Sequence, residues 1–431
     1  MCSKKMGRFV LPVIACLAAG ALWGCAPKQE SGLIKEYNPG EKVNVRLFGN
    51  RTLNSAVWNH EIAASDGKKI QIMEETAEYY GGENGEEGYR TFLANRLKTD
   101  SDVDLYMLYD EDVLEFEKKG LFMDLSDTKA AAGLSDAARQ SCTCQGKVFG
   151  IPLVVTGYGF YWNLDILGRY GLEIPETEEE FLSVCRTLKQ NGEVPYIGNK
   201  GYGLTVPAMV KGFAGLYADP NRKQKLAELA DGTTPVSNYM EKGFEFLVLL
   251  RDEGLLDTEY SKATTPNEAI ADFAAGKGAC LCAHMGADLS GAQFPYRMTG
   301  VPLTDGAPVS VVGGARRIAV NPSSENLQYA VEALEYIGKP ENLRSVAREL
   351  NGLTSVKREE GQDDDYLKEE TREFAALAQS ENQIPIQDFT LPFDTWIQIR
   401  DLGREILNGL DAGDAAKKYD EIQMSKVQTA R

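Results

Sequence analysis

Cys280, Cys282 and His284 alternate along one apolar stretch, Gly278-Ala-Cys-Leu-Cys-Ala-His284. On a strand that spacing puts the three side chains on one face, and two thiolates with an imidazole suit zinc. A fourth ligand would have to come from elsewhere in a chain with only 2 histidines. Free cysteine is also among the most buried residue types, so core packing is the expected role and no metal is assigned. Beyond Cys25 the cysteines are Cys142, Cys144, Cys185, Cys280 and Cys282, an odd number that excludes a complete disulfide framework. A local Cys142–Cys144 bridge stays open. Covalent and hydrolytic chemistry has less support. There is no Gly-x-Ser-x-Gly elbow, no His-Glu-x-x-His and no phosphate loop, and His60 and His284 alone are a poor basis for a triad. With 64 acidic residues a carboxylate pair can always be found, so it carries no weight. The aromatic residues say more. Among Trp58, Trp162 and Trp396, the last follows Pro392-Phe-Asp-Thr395 at an expected helix start. Aromatic faces pack on the C–H arrays of sugars while the hydroxyls take polar partners; the alternative for a single Trp is core packing. Tyr109, Tyr158 and Tyr202 each sit at a loop or strand end and offer a ring with a hydroxyl.

The totals bound what these residues can serve. A chain of 431 residues is long enough for two or three domains, and 43% hydrophobic content describes a folded protein. A net charge of −18 repels phosphate backbones, which argues against nucleic-acid binding. The first residues are laid out as a signal peptide: Lys4, Lys5 and Arg8, then an apolar run from Phe9 to Trp23, then Gly24-Cys25. The run is short for a bilayer span. Leu22-Trp23-Gly24-Cys25 resembles a bacterial lipobox, which implies cleavage after residue 24 and lipidation of Cys25. The alternative is a plain secreted chain. Residues 25–41, with Pro27, Gly32, Pro39 and Gly40, read as a tether.

The elements that must position the aromatic residues follow an α/β pattern. Strands are expected at Lys42–Phe48, Ile70–Met73 and Asp104–Tyr109, with helices over 55–64, 89–97 and from Asp110-Glu111-Asp112 to Lys119. In open sheets of this kind ligands sit beyond the carboxyl ends of the strands, where Asn50, Arg51, Tyr109 and Glu111 fall. Val148 to Val155 is an apolar run containing Pro152, followed by Gly157, Gly159 and Phe160-Tyr-Trp162. Proline cannot donate to a ladder, so the chain is expected to leave one sheet near it and pass to another lobe. Val309–Val320, interrupted by Gly313-Gly314, is a second such place. Thr177 with Glu180 forms a capping-box pattern, opening a helix with Phe181, Leu182, Cys185 and Leu188 inward. Gly201-Tyr202-Gly203 reads as a loop, residues 207–254 as mostly helical, and a final helix carries Trp396, Ile399, Leu402 and Ile406.

Taken in order, these segments resemble the family 1 extracellular solute-binding proteins of ABC importers, the group that includes maltose-binding protein. The pieces are Gly146-Lys-Val-Phe-Gly-Ile-Pro152 with Phe160-Tyr-Trp-Asn-Leu-Asp165, Tyr170 to Phe181, Ala271 to Ala279, Gly313 to Pro322, and Ile406 to Ala416. The resemblance implies a two-lobed periplasmic-binding-protein (type II) fold, with hinge-linked α/β lobes and a central ligand cleft. Lobe 1 is expected over 42–152 plus about 316–365, and lobe 2 over 153–315 plus about 366–431. It also implies a lipid-anchored, non-enzymatic, cofactor-free and monomeric binding protein that delivers a mono- or oligosaccharide to a membrane permease. The alternatives are a non-sugar solute or a surface enzyme acting on polysaccharide. Thr156 and Tyr158 are implied as ligand contacts just past the first crossing, Trp396 as the stacking residue and Arg400 one turn beyond it. Asn50, Arg51, Tyr109 and Glu111 are implied from the first lobe, and Tyr202 and Met285 from the second. Many sugar binders have a tryptophan just after the strand equivalent to Ala279–His284; this chain reads Met285-Gly286-Ala287, which implies a differently shaped site.

Overall fold

The computed structural model describes residues 41–49, 60–76, 93–97, 102–116, 119–304, 306–357 and 365–430. The signal segment, Cys25, the tether, Asn50 and Arg51 lie outside them. The strands are β1 (Lys42–Gly49), β2 (Glu61–Ala63), β3 (Lys69–Thr76), β4 (Leu105–Leu108), β5 (Thr143–Cys144), β6 (Lys147–Val148), β7 (Ile151–Asn163), β8 (Tyr196–Ile197), β9 (Cys280–His284), β10 (Tyr296–Thr299), β11 (Ser310–Val320) and β12 (Gln383–Pro385). Ten of them form one sheet in the order β2-β3-β1-β4-β11-β7-β9-β8, with β10 on β7 and β12 on β11; β5 and β6 pair separately. β1, β3 and β4 run parallel, as the α/β pattern requires. Val43, Val45 and Leu47 are buried on alternate positions, which is the pleat read from the sequence.

Two long strands carry the sheet across its middle. β7 and β11 are antiparallel from Val311 opposite Tyr158 to Ile318 opposite Ile151. The far end of β11 pairs with β4 through Arg317–Val320, while the far end of β7 pairs with β9 through Tyr158–Trp162. Both expected breaks are corrected. Pro152 is the second residue of β7 and stays in the ladder opposite Arg317, because among the described residues Ile151–Val154 is paired with β11 on one side only, and edge positions tolerate proline. Gly313 and Gly314 continue β11 and serve close packing: a Cβ on Gly313 would lie 2.7 Å from Ile386 Cδ1, and one on Gly314 2.7 Å from Pro152 Cβ. The irregularity falls instead at Arg316, whose φ is 53°.

Other expectations fare unevenly. Of the helix expected over 55–64, residues 55–59 lie outside the described residues, and 61–63 are the strand β2, which turns back on β3 at Asp66-Gly67 (φ 85°) and sets Ile62 opposite Ile70. Tyr202 is not in a loop but opens the helix Tyr202–Tyr217. The capping box at Thr177 and Glu180 is present, over a helix that buries Phe181, Leu182, Cys185 and Leu188. The helix Trp396–Leu407 is followed by another, Ala412–Ala430, so it is not the final one.

The apolar residues gather in distinct clusters. One includes Phe48, Val103, Tyr106, Phe116 and Phe122, beside β1 and β4. Another includes Phe160, Trp162, Phe181, Phe213, Phe244 and Leu402, beside the far half of β7. Phe160, Tyr161 and Trp162 are all within 1% of complete burial, and Trp162 Nε1 donates to Thr299 Oγ1 at 3.2 Å. Gly157 and Gly159 leave the opposite face of β7 bare for the ring of Phe374. A Cβ on Gly159 would sit 2.3 Å from the Thr299 carbonyl oxygen and 2.5 Å from Phe374 Cε2. Because one obstacle is backbone of the paired strand β10, it cannot step aside. Gly159→Ala is expected to lower stability by about 2 kcal/mol, the usual range for overpacking, read as a lower urea midpoint; an unchanged midpoint would refute that packing.

Candidate functional site

Three segments far apart in sequence bring their rings together. Thr156 and Tyr158 are half-buried on β7, alternating with buried Val155, Gly157 and Gly159. Tyr202 is held at its helix start by buried Asn199, whose side-chain oxygen accepts from the backbone N–H groups of Gly201 (3.0 Å) and Gly203 (3.1 Å). Trp396 starts a helix whose entry is fixed twice. Gln387 accepts from the Thr395 N–H at 2.9 Å and donates to the Phe393 carbonyl at 3.2 Å. Asp394 Oδ1 accepts from the N–H groups of Ile397 (2.6 Å) and Gln398 (3.2 Å), satisfying donors at the helix start. At the other end Arg251 donates to the Ile406 carbonyl at 2.7 Å.

The ring centres of Tyr158 and Trp396 are 5.1 Å apart, and those of Tyr158 and Tyr202 5.0 Å. His284, the last residue of β9, lies 6.3 Å from Tyr158 and 6.1 Å from Tyr202. All four residues are half-buried. Burial, with Tyr158 adding to it, pushes the Tyr202 phenol far above its ordinary range, so it remains a protonated hydrogen-bonding group. The arrangement offers flat apolar faces and neutral polar edges. That suits stacking and hydrogen bonding.

The remaining sequence candidates are placed as follows. Arg400 lies one turn beyond Trp396, largely covered, with its Nε 3.2 Å from Asp401. Tyr109 is half-buried just past β4 and packs against the cluster around Phe48. Glu111 is in the first turn of the helix Asp110–Phe116, and its side chain lies outside those described. Met285 is 1% exposed, so its side chain belongs to the core; its N–H donates to the Gly157 carbonyl at 2.8 Å. Cys142, Cys144, Cys185, Cys280 and Cys282 are buried free thiols, so the local Cys142–Cys144 bridge is not formed. Burial pushes the Cys142 thiol up to about 12. Cys282 Sγ points at the Tyr202 carbonyl, 3.8 Å away.

Sequence reasoning missed His284 as a member of the ring site. The alternation with Cys282 that suggested a zinc face was the available signal: the same face carries Cys282 toward Tyr202 and His284 to the ring edges. Among the described residues no group of three or more metal-ligating side chains occurs, and no helix is long and apolar enough to cross a membrane.

The family model described as bacterial extracellular solute-binding protein matches residues 86–372. The chain belongs to that family. Among its relatives is the melibiose/raffinose/stachyose-binding protein MelE of Bacillus subtilis, 26% identical over 235 residues, or 49% of this chain and 52% of that protein. At most about half the length of the curated relatives is spanned by the match. A family 1 extracellular solute-binding protein from Bifidobacterium longum subsp. infantis has a TM-score of 0.67 at 15% identity, over 90% of this chain and 100% of that one. A Bacillus licheniformis sugar transporter solved with stachyose has a TM-score of 0.64 at 17% identity, over 89% and 100%. These likenesses establish the fold as that of the two-lobed periplasmic-type binding proteins.

Proposed function

We propose that this solute-binding protein captures a mono- or oligosaccharide in a cleft between two hinged lobes and presents it to an ABC permease, tethered to the membrane's outer face by lipid on Cys25. The observation that carries the reading is the half-buried, uncharged ring group in which Tyr202 and Trp396, at two helix starts, meet Tyr158 on the long strand β7. A sugar ring needs such faces for its C–H surface, with polar edges for its hydroxyls. The names of MelE and of the stachyose complex point the same way. The lobes run over 42–152 plus about 316–365 and 153–315 plus about 366–431; the two apolar clusters and the long strands β7 and β11 between them support that division. Tyr158, Thr156, Tyr202, Trp396 and Arg400 supply one wall. Tyr109, Glu111, Asn50 and Arg51 supply the other. Met285 is left out because its side chain is buried. Ligand contacts with both lobes would favour the closed state.

Thermal unfolding in the presence of neutral mono- and oligosaccharides tests the reading. At least one sugar is expected to raise the midpoint by several degrees, as binding to the folded state alone requires, and to be recovered unchanged. No shift with any sugar, together with a shift from amino acids or peptides, would refute the carbohydrate assignment; release of product would refute pure binding.

A further inference from the structure

The apolar cluster beside β1 and β4 draws its buried members from residues 42–152 and 316–365, with one exception, Phe389. Among the described residues that ring, 8% exposed, is the single member of the cluster that comes from the proposed second lobe. Its neighbours in sequence go the other way. Ile386, Leu391 and Phe393 belong to the cluster beside the far half of β7. The loop that carries Phe389 is fastened on that same side. The Ile386 N–H donates to the Val312 carbonyl at 2.9 Å. Tyr217, at the end of the helix Tyr202–Tyr217, donates its hydroxyl to buried Asp388 Oδ2 at 3.2 Å. Asp388 Oδ1 in turn accepts from the Thr390 N–H at 2.9 Å and the Thr390 hydroxyl at 2.6 Å. Gln387 closes the loop through the Thr395 N–H and the Phe393 carbonyl. A well-tied loop rooted on one side therefore buries a ring in the core of the other.

We propose that Phe389 is a latch between the lobes: seated in the core of the first, it holds the two walls of the cleft together and so sets ligand affinity without touching the ligand. The inference rests on the two-lobe reading above and not on the identity of the ligand. Parting the lobes draws the ring out of its cluster and exposes it to water, which opposes opening. A hinge by itself sets no preference; the balance is decided by contacts made in one state only. A ligand that needs both walls binds with an affinity scaled by the fraction of molecules whose lobes are together. The loop also ends at the Trp396 helix start, which Gln387 holds, so latch and ring site move as one piece.

The test is small-angle X-ray scattering and calorimetric titration of the full chain and of its Phe389→Ala variant. Once the lobes part, the two proteins differ only by an exposed side chain, so the substitution acts on the joined state. Without sugar the variant is expected to have a larger radius of gyration than the wild type. Saturation with the sugar that gives the largest thermal shift should bring the two radii together, because ligand contacts with both lobes replace the latch. The variant's affinity should fall by about tenfold or more, as a joined fraction reduced to about a tenth requires. If the alanine variant does not fold, Phe389→Leu is read in its place, with a smaller change in the same direction. An unchanged radius, a radius that sugar does not restore, or an affinity that is unchanged or raised overturns the proposal. If the wild type binds no sugar, the carbohydrate reading falls and the sugar-free scattering alone decides the latch. An unchanged radius with sugar still bound overturns the latch and leaves the carbohydrate reading standing.

Discussion

Arg317→Ala is expected to lower the stability of the folded chain by about 3 kcal/mol, the lower end of the cost of breaking a buried ion pair from one side. Arg317 is 1% exposed. Its Nη2 lies 2.6 Å from Asp110 Oδ1, and its Nε donates to the Ser141 carbonyl at 2.9 Å. Removing it deprives a carboxylate and a buried carbonyl of their cation at once. The loss should stay at the lower end because Asp110 opens a helix, where the N-terminal dipole favours negative charge by about 0.3–1 kcal/mol. With an m-value of about 3 kcal/mol/M, the urea midpoint should fall by roughly 1 M. The pairing itself is tested by Arg317→Met with Asp110→Leu. Replacing both charges by apolar groups is often neutral, so the double variant should regain most of what either single change loses. If the double change merely adds the two losses, the pair is not what stabilises this junction of β11 with the helix after β4.

Much of this arrangement was legible locally, and the reasons are physical. β1 could be read because it alternates toward one buried face, and the helix after Thr177 because its capping box and apolar face lie within one short segment. The aromatic triplet Phe160-Tyr-Trp162 could be placed in the core from its setting in an apolar run. The long strands β7 and β11 are legible as apolar runs, but Pro152 and Gly313-Gly314 do not break them. Whether Pro152 ends a strand depends on which side of β7 is paired, and whether Gly313 breaks β11 depends on Ile386, distant in the chain. Residue type alone holds neither fact. The same limit applies at the site. Tyr202 and Trp396 are legible as rings at element ends, whereas Tyr158, expected at a strand end, lies in the middle of β7; the gathering of the three depends on Asn199, Gln387 and Asp394 fixing two helix starts. His284 was visible only as a potential metal ligand, because the ring edges it meets come from other segments.

Trp396→Ala is expected to weaken sugar binding by about 30-fold, equivalent to roughly 2 kcal/mol, the loss typical of a central aromatic anchor. Trp396 is half-buried and its ring lies 5.1 Å from the Tyr158 ring. Truncation removes the stacking surface and also leaves Tyr158 unsupported on that side. Trp396→Phe restores a smaller face and should recover at least half of the lost binding free energy, because stacking depends on area and not on the indole N–H. The best ligand from the sugar series, titrated into the three proteins, measures this directly. Folding must be followed in parallel, since Trp396 also packs against the cluster around Phe244 and Leu402. The expected outcome is an apo unfolding midpoint that moves much less than the affinity does, because the helix start is held by Gln387 and Asp394 independently of the indole. An alanine variant that binds within twofold of wild type would remove Trp396 from the site. One that loses affinity only in proportion to its stability would make it a core residue, and the carbohydrate face would then have to be sought on Tyr158 and Tyr202 alone.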